Sequence, residues 1–289
     1  MAVEFTAHNV RLDDGVRTKP ETMPIEAHPE FVSARRVLDV VFPKDRSNIR
    51  LADLGCLEGG YAVEFARMGF DVLGLEVRAS NIAACRYVKT NTNLPNLRFV
   101  QDDVWNIARY GSFDAIFCGG LLYHLDRPRQ FLQTLAENTT RLLMVVTHFA
   151  VAPGPDGADA RSDDTSAGKF NLSSITENES LKGRWYVEFA SDAAHAEREH
   201  AKWSSWDNRR SFWIQREYLI QAIQGVGFDL VMEQFDGLGA DIGEAMTTGV
   251  YKTDSRGIFI GLKTQGAASA SATSPRCLDR SVFRQVCER

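Results

Sequence analysis

The stretch LADLGCLEGGYAVEFA (residues 51–66) runs from an apolar strand into Gly55, then Gly59 and Gly60, then a helix. Glycines at such a turn let the chain reverse sharply at the carboxyl end of a strand and let a ligand approach the backbone closely. Outward from this turn the same alternation repeats. Residues 49–55, DVLGLEV (71–77), LRFVQ (97–101), FDAIFC (113–118) and RLLMVVTH (141–148) read as strands, and 60–68, 80–91 and 127–139 as helices. DLVMEQF (229–235) and GIFIGLK (257–263) add two more strands after a helix read from WIQREYLIQAIQGVGF (213–228). The pattern predicts an α/β fold: a doubly wound, seven-stranded, mostly parallel sheet with helices on both faces.

Three regions fall outside that rhythm. Residues 1–44 read as an N-terminal arm followed by a helix over 29–42, whose residues Phe31, Ala34, Val37, Leu38 and Val41 share one face. Disorder is the expected state of the untethered arm, with folding over the site as the alternative for HNVRLDDG (8–15). The main domain spans 45–263 and carries an inserted lid over about 150–210, which opens on the Gly-, Pro- and Asp-rich segment 151–168. Residues 264–289 are expected to form a flexible tail, although CLDRSVFRQVCER could also close as a helix.

Composition narrows the function. With 33 basic against 38 acidic residues the chain has a net charge of −5, which offers no basic surface for nucleic acid or anionic lipid. No apolar run approaches the roughly 18 residues of a membrane span, and the N-terminus has no signal-peptide core. The five cysteines are odd in number and lack CxxC pairing, so reduced thiols in a cytoplasmic protein are expected. No metal site is expected, because the His and Asp residues lack ligand spacing; His195 and His200 are five apart and do not share a helix face.

The carboxyl ends of the strands carry the candidate ligand site. Glu76 ends the second strand, 21 residues after Gly55, where a carboxylate accepts hydrogen bonds from ribose hydroxyls. Asp103 follows the third strand, within reach of an adenine amino group, or as an N-cap. Cys118 and Gly119 end the fourth. A nicotinamide-binding turn requires GxGxxG, but the second glycine position is Leu57, which crowds a pyrophosphate.

By these residues the chain resembles the class I S-adenosylmethionine-dependent methyltransferases. DLGCLEGG matches the family's first motif, GLEV its acidic second motif and QDDV its adenine motif. GGLLYHLDRP (119–128) and SWDNRRSFWIQREYLIQAIQGVGF (205–228) look like the branch of natural-product and sugar methyltransferases and tRNA-uridine carboxymethyl transferases. The resemblance implies S-adenosylmethionine as cofactor. It assigns Asp53, Gly55, Cys56 and Gly59 to the methionine end and the turn, Glu76 and Val77 to the ribose, Asp103 and Val104 to the adenine, and Cys118 and Gly119 to the methionine amine.

On the acceptor side the residues leave more open. His148, closing the fifth strand, is the preferred general base, and His124 the second choice. Tyr123, Trp206, Asn208 and Arg209 are the substrate-side candidates. Four of the five tryptophans (185, 203, 206 and 213) lie in the insertion or at its exit, as a water-excluding cover or as ordinary packing. The expected partner is a small-molecule acceptor methylated on oxygen or nitrogen. The alternatives are a tRNA-modifying (carboxy)methyltransferase and a non-catalytic adenosylmethionine-binding protein. A homo-oligomer is left open.

Overall fold

The computed structural model describes residues 3–152, 170–190, 195–235, 247 and 255–264. Most of the loop 151–168 and, beyond Thr264, the whole expected tail lie outside the described residues. The central sheet takes strands β1 (Arg50–Leu54), β2 (Asp71–Glu76), β3 (Leu97–Gln101), β4 (Phe113–Gly119) and β5 (Thr139–His148). It is completed by β9 (Leu230–Gln234) and β10 (Arg256–Leu262), in the spatial order β3-β2-β1-β4-β5-β10-β9. Neighbouring strands from β3 to β5 are parallel, and β10 runs antiparallel to both β5 and β9. The order reverses between β1 and β4, so a crevice opens at their carboxyl ends, where open sheets of this kind bind ligands.

Because the parallel strands are covered on both faces, successive residues alternate between two cores. Ala52, Leu54, Leu75, Ile116 and Val145 face α4 (Pro128–Glu137) and α6 (Arg216–Gly225). Leu51, Val72, Phe117, Met144 and Val146 face α1 (Pro29–Val41) and α2 (Gly60–Arg67). The helix α3 (Ala79–Thr90) links β2 to β3.

Two expectations need correction. First, part of the insertion is ordered sheet: β6 (Thr176–Asn178), β7 (Leu181–Val187) and β8 (Arg210–Ile214) form an antiparallel unit, with the short helix α5 (His195–His200) between β7 and β8 in sequence. The sixth helix accordingly starts at Arg216, not at Trp213. Trp213 and Ile214 are buried strand residues: Phe212 and Ile214 plug into the main core, while Trp213, on the other face, packs with Ala150 and Leu172. Gly183 makes this possible, since a Cβ there would sit 2.2 Å from the Trp213 carbonyl.

Second, the N-terminal arm is tied down. Glu58, fully buried, accepts hydrogen bonds from the Thr6 backbone (2.5 Å) and hydroxyl (2.8 Å) and from the Ala7 (3.1 Å) and His8 (2.8 Å) backbones. Burial alone would raise its pKa, but these donors hold it below the usual value. His8 Nδ1 accepts from the N–H of Gly60 (2.9 Å), one of the orphan donors at the start of α2, and Val10 and Ile25 join the core. Glu58→Ala should release residues 3–12. Hydrogen exchange at residues 6–8 should lose its protection, and unfolding free energy should fall by at least the ~1.5–3 kcal/mol of one charged hydrogen bond.

Candidate active site

At the carboxyl ends of β1, β2 and β4 lies a cavity of about 350 Å³. Its wall includes Asp53, Gly55, Cys56, Glu76, Val77, Asp103, Val104, Gly119, Tyr123, His124, Trp206 and Asn208 from the candidate set. Gly59, Cys118, His148 and Arg209 are not on it. Gly59 lies beneath the turn, where a Cβ would meet the Phe99 ring at 2.6 Å. Cys118 is fully buried, and Arg209 offers its carbonyl to the backbone N–H of Glu188 (2.9 Å).

The turn after β1 is held in an uncommon conformation. Gly55, Leu57 and Gly59 all have positive φ (64°, 51° and 80°). For Leu57 the left-handed region costs roughly 1–2 kcal/mol. It is tethered at both ends: its N–H donates to Glu76 Oε2 (3.0 Å) and its carbonyl accepts from the Cys85 thiol (3.2 Å). The other Glu76 oxygen accepts the Arg78 N–H at 2.8 Å. Glu76 is therefore a buried structural acceptor as well as part of the wall, and burial raises its pKa against the pull of the Arg78 backbone and charge. Asp103 likewise does two jobs. It caps the 3₁₀ helix Val104–Tyr110 through the Trp105 N–H (3.0 Å) while lining the cavity.

Asp53 is different. Its carboxyl group is buried, and Oδ2 has no hydrogen-bond partner among the described residues. Burial, reinforced by the Glu76 charge, pushes its pKa up to about 8, with an Ala62 backbone donor opposing. An acceptor buried without a partner at a cavity wall suits a ligand that brings a cation or a donor.

The two histidines occupy different surroundings. His124 Nδ1 lies 2.8 Å from Glu188 Oε1, and its ring packs on Tyr123. His148 sits off the cavity in an aromatic cluster. It stacks on Trp213 (centroids 5.0 Å, 15° between planes) and touches Tyr123 edge-on and Phe170. Its Nδ1 is 3.1 Å from the Ser255 carbonyl. Burial, then the Arg256 charge, pull its pKa down to about 4.

Several wall residues carry no local signal in the sequence: Ala7 from the arm, Tyr61 from α2, Arg78 after β2, Lys202 from the insertion and Arg256 from β10. His8 and Trp203, also on the wall, come from the arm and the insertion that the sequence offered as possible covers. Arg78 donates to the carbonyls of Arg198 (3.1 Å), Ala201 (3.0 Å), Ser204 (2.7 Å) and Ser205 (3.2 Å), and its guanidinium lies over Trp206. Lys202 Nζ approaches Glu58 to 3.9 Å. Residues 198–206 are thus fastened across the cavity, to the end of β2 on one side and to the arm-binding carboxylate on the other.

A sheet in this order, with a glycine turn after β1 and acidic residues at the end of β2 and after β3, is the fold of the class I methyltransferases. The chain belongs to the family described as "Methyltransferase domain", whose model matches residues 27–233. It is 26% identical over 95 residues to a ubiquinone biosynthesis O-methyltransferase of Rickettsia canadensis, a match covering 32% of this chain. The matched stretch spans about two-fifths of that relative (39%). Among solved structures, the N-terminal domain of EvdMO1 with SAH bound superposes with a TM-score of 0.57 at 20% identity, covering 82% of this chain and 81% of that one. The same domain in the presence of SAH and D-fucose gives 0.59 at 19% identity, covering 88% and 90%. Among the described residues no helix is long and apolar enough to cross a membrane, and no group of three or more metal-ligating side chains forms.

Two measurements follow from the charges. Asp53, with its pKa near 8, is mostly protonated at neutral pH, and a sulfonium cation favours its carboxylate form. Calorimetric titration with S-adenosylmethionine near pH 7, in buffers of different ionisation enthalpy, should therefore show proton release. Affinity should rise with pH up to about 8, and Asp53→Asn should abolish both effects. His148 has a folded pKa of about 4 against an ordinary 6.5, so between these values the unfolded chain binds more protons. Its neutral form supports the fold above about pH 6.5, and that support is lost as pH falls toward 4. His148→Phe, which keeps the ring packing, should shrink the stability difference between pH 7 and pH 5 in urea unfolding.

Proposed function

We propose that this chain moves the methyl group of S-adenosylmethionine to an oxygen or nitrogen of a small-molecule acceptor, with His124 as the base. The observation that carries this reading is the enclosure of the cavity. The sheet ends form its floor, the arm forms one wall, and the segment Lys202–Asn208 lies across it, with His124 on the lining. Pockets near 350 Å³ fall within the ordinary range for small ligands. The net charge of −5 offers no general attraction to a nucleic acid.

Asp53, Gly55, Cys56, Glu76, Val77, Asp103, Val104 and the Gly119 backbone are the residues that would hold the donor. When bound, S-adenosylmethionine supplies a methyl group on a sulfonium, an electrophile that needs no further activation. The chain's own task is then to orient the acceptor, keep water out and remove one proton. His124 would take that proton from the acceptor atom that receives the methyl group, the electron pair of the broken sulfur–methyl bond staying on the sulfur. Tyr123, Trp206 and Asn208 line the space beside it, and Arg209 holds the insertion through its backbone. The insertion over about 150–210 serves as the lid. Within this reading a secondary metabolite or sugar is the acceptor class, in the manner of natural-product biosynthesis.

A screen of phenols, amines and sugars with methyl-labelled donor tests the assignment. Transfer to at least one class is expected, whereas binding of NAD without response to S-adenosylmethionine would overturn it. With an acceptor in hand, His124→Ala should lower turnover by about 10²–10⁴-fold at unchanged donor affinity. His148→Phe should keep most of its turnover; if it, and not His124→Ala, loses turnover, the base is misassigned.

A further inference from the structure

Glu188 lies just past β7, and its side chain is 1% exposed. One of its oxygens is 2.8 Å from His124 Nδ1, and the other accepts the backbone N–H of Ser205 at 3.0 Å. A carboxylate only accepts hydrogen bonds, so Nδ1 must be the donor in this pair. A neutral imidazole with its proton on Nδ1 has its lone pair on Nε2. The position of the ring is fixed as well. Tyr123 packs on it with centroids 4.2 Å apart, and the His124 carbonyl accepts from Asn208 Nδ2 at 2.9 Å.

The same segment closes a second loop of contacts. The Ser205 hydroxyl donates to Asn208 Oδ1 at 2.7 Å. The carbonyl of the peptide that carries the Ser205 N–H, that of Ser204, accepts from Arg78 at 2.7 Å, and the Arg78 backbone N–H is in turn held by Glu76. An unbroken hydrogen-bonded path therefore runs from Glu76 through Arg78, the Ser205 peptide and Glu188 to His124. Its first two members line the cavity beside the turn after β1, and its last is the proposed base.

We infer that Glu188 is a positioning residue that sets His124 in the Nδ1–H tautomer, and that it is held there by the Ser205 peptide clamped on Arg78. The inference rests on His124 acting as the base, but the tautomer itself can be tested without any acceptor. Glu188 is not on the cavity wall, so it acts through His124. The consequence is that the base is formed by the insertion, not by the sheet alone. With residues 201–208 displaced, the carboxylate loses its second partner and the ring its orientation.

Nitrogen-15 spectra of the full chain with S-adenosylhomocysteine, with the His124 signal identified by its loss in His124→Gln, decide the point. The expected result is a His124 ring protonated at Nδ1 in the wild type. A ring protonated at Nε2 overturns the inference, and this arm stands even if a variant fails to fold. In folded Glu188→Gln the single-tautomer signal should be lost while the dissociation constant for S-adenosylhomocysteine stays within about twofold; an unchanged His124 signal overturns the inference. Once an acceptor is known, Glu188→Gln should lower kcat by on the order of 10²–10⁴-fold with little change in the acceptor KM, the pattern of a misplaced tautomer. Absence of transfer to every acceptor tried, alongside the expected spectra, would count against the proposed function and leave the tautomer assignment intact.

Discussion

The Glu76 carboxylate is the point on which the crevice at the carboxyl ends of the strands depends. It sits at the end of β2, almost fully buried, with one oxygen on the Leu57 N–H and the other on the Arg78 N–H. Through Leu57 it holds the left-handed turn that shapes the floor of the cavity. Through Arg78 it is joined to four carbonyls of the inserted segment. A buried carboxylate is costly to leave without donors, which makes each of these contacts hard to remove alone. Strand end, turn and roof therefore behave as one assembly, and the ligand-facing surface is built from their shared anchor.

A second carboxylate, Glu58, does the same work on the opposite side. It gathers the backbone of residues 6–8 and lies within 3.9 Å of Lys202. The arm and the insertion, far apart in sequence, thus converge on the loop that follows β1. The cavity between them is lined by side chains from both, together with the ends of the sheet strands.

Much of this was legible in the sequence. The strand–helix alternation, the glycine turn at 55–60 and the acidic residues at 76 and 103 are local patterns, each repeated within a short window, and local patterns survive in a linear reading. The antiparallel unit of β6, β7 and β8 did not show itself, because its strands lack polar–apolar alternation and one face packs on the main core through Phe212 and Ile214. The arm read as disordered because its order comes from Glu58, about 50 residues away. Glu188 and His124 are 64 residues apart, and no spacing rule relates them. His148 fitted the expectation that the end of β5 faces the crevice. What displaced it was the aromatic packing of Trp213 and Phe170, a tertiary effect with no trace in the strand itself.

Leu57 is the residue at which the glycine pattern of the first motif breaks, and the backbone there keeps a glycine-like φ of 51° all the same. A glycine at that position would leave the empty loop free to sample many shapes and would oblige a ligand to quiet them on arrival. Leucine narrows that ensemble in advance, at the expense of local strain, and the tethers to Glu76 and Cys85 select one member of it. The loop is accordingly preorganised: the ordering entropy is spent during folding, and little of it is left to be charged against binding.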